Sequence, residues 1–560
     1  MRRPIAPSQF RLAALLLCVA ILPTATPAAD SAAVPGGIDT VNQRIGSVPQ
    51  YFFDSAVVEQ VQDITRVWHC PEKQQGPLIK SDQPWEDVTY FSCNTWNVIY
   101  DSKAGEFKCW YEDWHADFPK IFRSGYKGFL VFGSYLPPYG SRLCFARSHD
   151  GIHWEKPVLD YLEEKGRKTN TVLGNETFGN VHSPFVFDDP FETNPDRRFK
   201  LMFDHQDGRG FNIRLAHSPD GIRWTMFDEK PAFGWMAGTK ALEDVFIIAP
   251  DVESRTYRLT TRHINMQGPY QKPGRPHTAS WFCPYMPNNP AARSKRRVFL
   301  SFSGDLMHWS LPQPLLATDD TADNLDDAFY GMAQMKVGDI WVGFVNTLHQ
   351  VSNTMDVRLA FSRDGWNWHF GNQRQPWLRT TEGAWDCFMV NMPSVPVPHG
   401  NELLCYYGGS KNHHDWWING LPEGLKAPEV DDHGAVGYAL GLAKLRRDGF
   451  VSLDAGDVRE GSIVTRQLLT EGGRLVLNAR VRPSGYLDVE VTDANDQVLP
   501  GFARAVCERF TGDSLEHVVR WRGDSAKEVV PGGNPRLRFF MKDAELYSFA
   551  FQPSQPRETK

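Results

Sequence analysis

Ser148-His149-Asp150-Gly151-Ile152-His153-Trp154 is one of four copies of the pattern S-x-D-x-x-x-W. Ser218 to Trp224 reads SPDGIRW, Ser303 to Trp309 reads SGDLMHW, and Ser362 to Trp368 reads SRDGWNW. Each copy follows an apolar run of strand type, such as Leu143-Cys144-Phe145-Ala146 or Val357-Arg358-Leu359-Ala360-Phe361. The residue types suit a turn leaving a strand: Ser and Asp side chains satisfy nearby amides, Gly accepts positive φ, and the Trp caps the apolar layer below. A weaker fifth copy, Arg446-Arg447-Asp448-Gly449-Phe450, follows Leu440 to Leu445.

The four full copies lie 59 to 85 residues apart, the length of a four-stranded unit with variable loops, which predicts a β-propeller. Five unit starts can be overlaid: Asn94-Thr95-Trp96, His182-Ser183-Pro184-Phe185, Asp244-Val245-Phe246, Asp327-Ala328-Phe329 and Asp386-Cys387-Phe388. Each is followed by two strand-like runs, so the reading is an all-β chain with a five-bladed propeller over 86–455. Before it, 30–85 reads as a lead-in packed on the first blade, with a short helix from Ser55 to Val67. After it, the alternation of Arg474 to Phe502 and Leu537 to Met541 predicts a C-terminal β-sandwich over 456–560.

A chain of 560 residues exceeds one ordinary core. Its net charge of −7 excludes a basic field for nucleic acid. Arg2, Arg3 and Arg11, the apolar run Leu12 to Leu22 and the small residues to Ala29 read as a signal peptide over 1–29. That run is too short to span a membrane, so the expected product is secreted or periplasmic with no span after cleavage. Cys18 leaves with it, and the eight widely spaced cysteines that remain require no disulfide. No C-x-x-C or H-E-x-x-H occurs, and no metal or other cofactor is expected. His413-His414-Asp415 reads as a polar loop lining a cleft. No feature specifies an oligomeric state.

In a propeller the innermost strands converge, and their leading residues line one mouth of the channel. That rim would carry Asn94, His182, Asp244, Asp327 and Asp386, with Glu243 beside the first acid and Glu382 four residues before the last. Converging carboxyls repel, so one takes a raised pKa while another stays ionised, the division that glycosidic bond cleavage needs. Asp244, Asp327 and Asp386 are therefore the expected catalytic acids, with Glu243 and Glu382 in reserve. Asn94, His182, Trp385, His413, His414 and Arg358 are the expected substrate contacts, and Trp110, Tyr111, Trp114, Trp416 and Trp417 are candidates to stack on sugar faces. The plain alternative is that an Asp at a strand start satisfies a loop amide. Asp150, Asp220, Asp305 and Asp364 are assigned to the turns themselves.

The blade count and the S-x-D-G-x-x-W tips resemble the five-bladed propeller glycoside hydrolases of the invertase/levanase and arabinanase/xylosidase type, in particular uncharacterised secreted bacterial members. Invertase-type enzymes carry N-D-P-N-G, R-D-P and E-C in their first three blades. Here Cys93-Asn94-Thr95-Trp96 offers no acid, Ser183 stands where the second motif has Asp, and only Glu243 or Asp244 matches the acid/base. Trp385-Asp386-Cys387 resembles W-E-C in another blade. The resemblance implies a hydrolase of a poly- or oligosaccharide. A non-catalytic carbohydrate-binding propeller, with its rim acids held in salt bridges, is the alternative, and a glycoside phosphorylase a third.

Overall fold

The computed structural model describes residues 43–114, 140–164, 166–175, 177–206, 211–233, 245–263, 296–319, 321–414, 416, 426–427, 429, 437–523 and 526–553. Their regular elements are strands and short 3-10 turns, so the described residues are nearly all β, as the patterning predicts. No helix among these residues is long and apolar enough to cross a membrane.

Antiparallel runs follow one another along the chain. Unit one pairs Trp96–Asp101, Glu106–Trp114, Ser141–Ser148 and Thr171–Leu173 in that order. Unit two is Asn180–Asp188, Phe199–Gln206, Phe211–Ser218 and Thr225–Met226. Unit three is Ile247–Asp251, Thr256–His263, Arg297–Ser303 and Gln313–Leu316. Unit four is Asp327–Val337, Ile340–His349, Thr354–Ser362 and Pro376–Leu378. Unit five is Met389–Asn391, Glu402–Ser410 and Tyr438–Arg446, and its outer edge is completed from the start of the chain by Glu72–Lys73 and Ile79–Lys80. The middle strands are covered on both faces, which is why every residue of Ile340–His349 but the last is buried.

Hydrogen bonds link the units in succession. Asn97 exchanges bonds with the Val186 backbone (2.6 and 3.1 Å), and the Tyr257 hydroxyl donates to Asp189 (2.8 Å). Thr260 donates to the Met332 carbonyl (2.5 Å), Met392 N–H to Asn346 Oδ1 (2.8 Å), and Ser394 of unit five returns to the Val98 carbonyl of unit one (2.9 Å). A cavity of about 450 Å³ is lined by the first strands of units one to four and by Pro393 to Val395 just after that of unit five.

The repeated tips are built as their chemistry predicts. In the first, Asp150 Oδ1 accepts from the Ile152 and His153 N–H groups at 2.8 Å, and Gly151 N–H donates to Ser148 Oγ at 2.9 Å. The same bonds recur at Asp220, Asp305 and Asp364. Gly151, Gly221 and Gly365 have φ between +72° and +81°, and Leu306 fills the same left-handed place at +67°.

Leu468–Thr492 and Arg536–Gln552 are the long strands of a ten-stranded C-terminal sheet, which also takes in Val451–Ala455 and Gly461–Thr465. The lead-in divides: Val58–Gln62 pairs with Gly461–Thr465 and Ile64–Trp68 with Val451–Ala455 in this sheet, while its last residues do meet unit one, where Trp85 Nε1 donates to Asn170 at 2.9 Å and Lys156 to the Lys80 carbonyl at 2.6 Å. The helix expected over Ser55 to Val67 is therefore two strands. Val57, Val58, Val61, Ile64 and Val67 do recur at helical spacing, but β-branched residues favour an extended ladder once partner strands are offered, and Asp63 turns the chain between them at φ +50°.

Candidate functional site

The strand Glu106–Trp114 ends in Trp110-Tyr111-Glu112-Asp113-Trp114, and Glu112 is fully buried. Its carboxylate accepts from Trp114 Nε1 at 2.6 Å, from His182 Nδ1 at 2.9 Å and from the Ser183 backbone N–H at 3.1 Å. A carboxylate on Nδ1 sets both the tautomer and the orientation of the imidazole. One carboxylate from unit one thus positions the first strand of unit two.

From there side chains continue in contact. Trp114 packs on Tyr90 with ring centroids 4.3 Å apart, and Tyr90 on Tyr438 at 4.9 Å. Cys93 Sγ lies 3.9 Å from His414 Nδ1, and His414 meets the ring of Tyr330 edge-on at 4.8 Å. The guanidinium groups of Arg262 and Arg296 lie 3.8 and 4.4 Å from the centre of that ring, a cation–π arrangement. Units one to five therefore all contribute buried polar or aromatic groups beside the starts of their first strands. Burial pushes the Cys93 thiol up to about 11, against the lowering effect of Ser92, Arg262 and Arg296, so it is not an activated nucleophile at neutral pH.

Two strand starts are strained alike. Cys93 and Ser183 hold φ of +54° and +52°, uncommon for residues other than glycine. The Ser183 hydroxyl is buried and has no hydrogen-bond partner among the described residues. Strain and an unsatisfied buried polar group concentrate where a protein binds or reacts.

The expected site residues divide. Asn94, His182 and His414 lie in or beside this cluster and are buried. Asp327 is fully buried but runs along its own sheet: Arg358 Nη2 donates to it at 2.6 Å and His349 Nδ1 at 2.7 Å. Burial opposes its charge, yet the His349 hydrogen bond and the Arg358 charge outweigh that and hold its carboxyl down at about 2. Arg358 also holds Asp323 at 2.7 Å, so its charge is spent within unit four. Asp386 likewise faces its own unit, taking Lys73 Nζ at 2.5 Å and the Tyr407 hydroxyl at 3.1 Å. Trp385 stacks on Tyr407, Glu382 is exposed in the preceding turn, and His413 is bonded to Glu429 and sandwiched between Phe388 and Trp416. Asp244, Glu243 and Trp417 lie outside the described residues.

Two aromatics expected to stack on sugar are core instead. Trp110 packs on Phe145 and Phe199 and donates to the Gly221 carbonyl, while Tyr111 lies on Phe91 and bonds Glu86. Glu112, Arg262 and Arg296 escaped the sequence reading because they sit at the ends of second and third strands, where the overlay of first strands does not look. The signal for Glu112 was an acid pair closing an otherwise apolar strand. Among the described residues no three His, Cys, Asp or Glu side chains come together as a metal-ion site. The described cysteines Cys70, Cys93, Cys109, Cys144, Cys387, Cys405 and Cys507 are free thiols.

No protein-family profile matches the sequence. No curated protein matches it either. Among solved structures, the chain is similar to a β-1,2-mannobiose phosphorylase from Listeria innocua, at 13% identity over 69% of this chain and 97% of that one, with a TM-score of 0.42. It is similar to a glycosyl hydrolase from Bacteroides ovatus, at 13% identity over 68% and 94% with a TM-score of 0.39. It is also similar to the GH32 β-fructofuranosidase of Bombyx mori, at 11% identity over 87% and 94% with a TM-score of 0.37. Glycoside hydrolases and phosphorylases, the class the sequence resembles, thus stand among these structures.

Proposed function

We propose that the chain is an exported five-bladed β-propeller, carrying a C-terminal β-sandwich, that hydrolyses glycosidic bonds of a poly- or oligosaccharide at the mouth of its channel. The observation that carries this reading is the buried Glu112–His182 pair beside the strained Ser183, whose hydroxyl has no partner among the described residues, assembled from two units at the strand starts. The succession of hydrogen bonds that returns to unit one, and the cavity bordered by every unit, support the ring.

In this reading Glu112 acts as an acceptor that holds His182 and the start of unit two in place. His182 and Ser183 engage sugar hydroxyls. The acid and the base or nucleophile come from Asp244 and Glu243 of unit three, and Asp327 and Asp386 act as anchors of their blades. Glycosidic cleavage needs one protonated and one ionised carboxyl, and Glu243 and Asp244 are two acids consecutive in the sequence. The test is release of reducing ends from a polysaccharide panel by the purified chain, run beside Asp244→Asn and Glu243→Gln. Hydrolysis that falls at least about 100-fold in one of these variants supports the assignment. Hydrolysis undiminished in both removes it.

A second reading has its own observation. Asp327 and Asp386 are locked by Arg358 and Lys73, the arrangement expected of a carbohydrate-binding propeller without catalysis. Measurable glycan binding with no cleavage on the same panel would select it.

A further inference from the structure

Away from the strand starts, a cleft of about 720 Å³ opens between the far end of unit five and the C-terminal sheet. Its size is within the range of about 300–1,000 Å³ typical of ligand sites. Glu402 borders it and begins a nine-residue strand whose other end, Ser410, pairs with Met389 at the first strand of unit five. At about 3.3 Å per residue the cleft lies roughly 26 Å from the mouth. It is a separate place.

Its walls are charged but balanced. Lys444, Arg446 and Arg480 face Glu72, Glu402 and Asp513. Arg446 bonds Asp513 at 2.5 Å, Arg480 bonds the other oxygen of Asp513 at 3.0 Å, and Lys444 bonds Glu402 at 2.9 Å. Glu72 has no ion pair among the described residues and stays open to a donor, while an anionic ligand would have to compete with Asp513 and Glu402 for the cations. A neutral polyhydroxyl ligand need not, because each hydroxyl can donate to a carboxylate lone pair and accept from a guanidinium N–H that the existing pair leaves over. An apolar ligand finds little to bury against such walls.

We infer that this cleft is an accessory binding site for a neutral oligosaccharide, distinct from the axial mouth. The choice of a glycan over other polyols rests on the glycoside reading above. The site holds a chain that the mouth acts on elsewhere, or holds it independently of any reaction.

Cys70 provides a local reporter, since it borders the cleft and is exposed. The experiment is alkylation of the full chain by iodoacetamide, with Cys70 and Cys507 followed by peptide mass spectrometry. It is run with and without cellohexaose, xylohexaose, mannohexaose and arabinohexaose. The expected result is that one of these slows alkylation of Cys70 at least threefold, leaves Cys507 unchanged, and loses that effect in Arg480→Ala. Arg480 is 44% exposed, so its truncation leaves no cavity in the core, and Tm is measured on the same variant. The proposal is overturned if no neutral hexaose protects Cys70, or if protection persists in Arg480→Ala. Hydrolysis is scored separately. Cleavage without protection removes the accessory site alone, and protection with no cleavage across the polysaccharide panel removes the hydrolase reading alone.

Discussion

Replacing Asp327 by Asn separates an anchoring role from a catalytic one. The substitution keeps shape and volume but removes the charge that Arg358 at 2.6 Å and His349 at 2.7 Å both address at a fully buried site. Each hydrogen bond to a charged group is worth about 1.5–3 kcal/mol, and uncompensating a buried pair costs about 3–5 kcal/mol. Asp323 still holds Arg358 and Asp356 still holds His349, so the loss falls near the lower end, about 3 kcal/mol. For cooperative unfolding of the body Val41–Lys560, at about 2.1 cal/mol/K per residue, that is a fall in Tm of about 3 °C. Its pH dependence has a definite sign. The folded carboxyl titrates at about 2, below its usual 3.8, so its contribution is full above about pH 4 and drains as the pH falls toward 2. Calorimetry of wild type and Asp327→Asn at pH 7 and pH 3 should show the gap narrowing with acid, while turnover per folded molecule stays within about threefold. Turnover reduced more than about 100-fold at unchanged Tm would make Asp327 a catalytic group and refute the anchor.

Two further outcomes follow from particular side chains. His349 works against its own burial, but Asp327 and Asp356 lift it to about 10 from 6.5. Its stabilisation is therefore complete below about pH 6.5 and lost as the pH rises toward 10. His349→Gln should flatten the alkaline fall in Tm, and an unchanged alkaline limb would contradict the pairing. Gly221→Ala puts a Cβ at φ +81° against the Trp110 ring, combining left-handed strain with overpacking, for a cost of about 2–4 kcal/mol. An unaltered Tm would show that the tip does not seat on Trp110.

The parts of the fold that could be read from the chain are those whose causes are local. Ser148-x-Asp150 and its copies build their own turns from bonds spanning three residues, so the motif and the geometry coincide, and even Leu306 declares its place by position in the pattern. The runs before and after each tip are strands for the same reason. The direction of the rim side chains was not readable. Register shifts fall at His182/Phe185 and Phe329/Gly331, immediately after two of the overlaid starts, and a slip of one residue sends a side chain to the other face. Asp386 meets Lys73 across 313 residues, a pairing that spacing cannot announce. The lead-in misled because helical spacing and β-branched composition disagreed, and distant partner strands decided between them.

The most direct test of glycoside chemistry at the mouth is the hydrolysis rate of His182→Asn relative to wild type on whichever panel glycan is cleaved, with Tm measured on the same samples. Asn retains a donor for Glu112 and removes the remainder of the imidazole. Wild type cleaving at least one glycan, with His182→Asn slower by at least about tenfold, the loss of a hydrogen bond of about 1.5 kcal/mol, at a Tm within a few degrees, is the result predicted here. Equal rates in the two proteins would show that the sugar is not held at His182 and contradict the account.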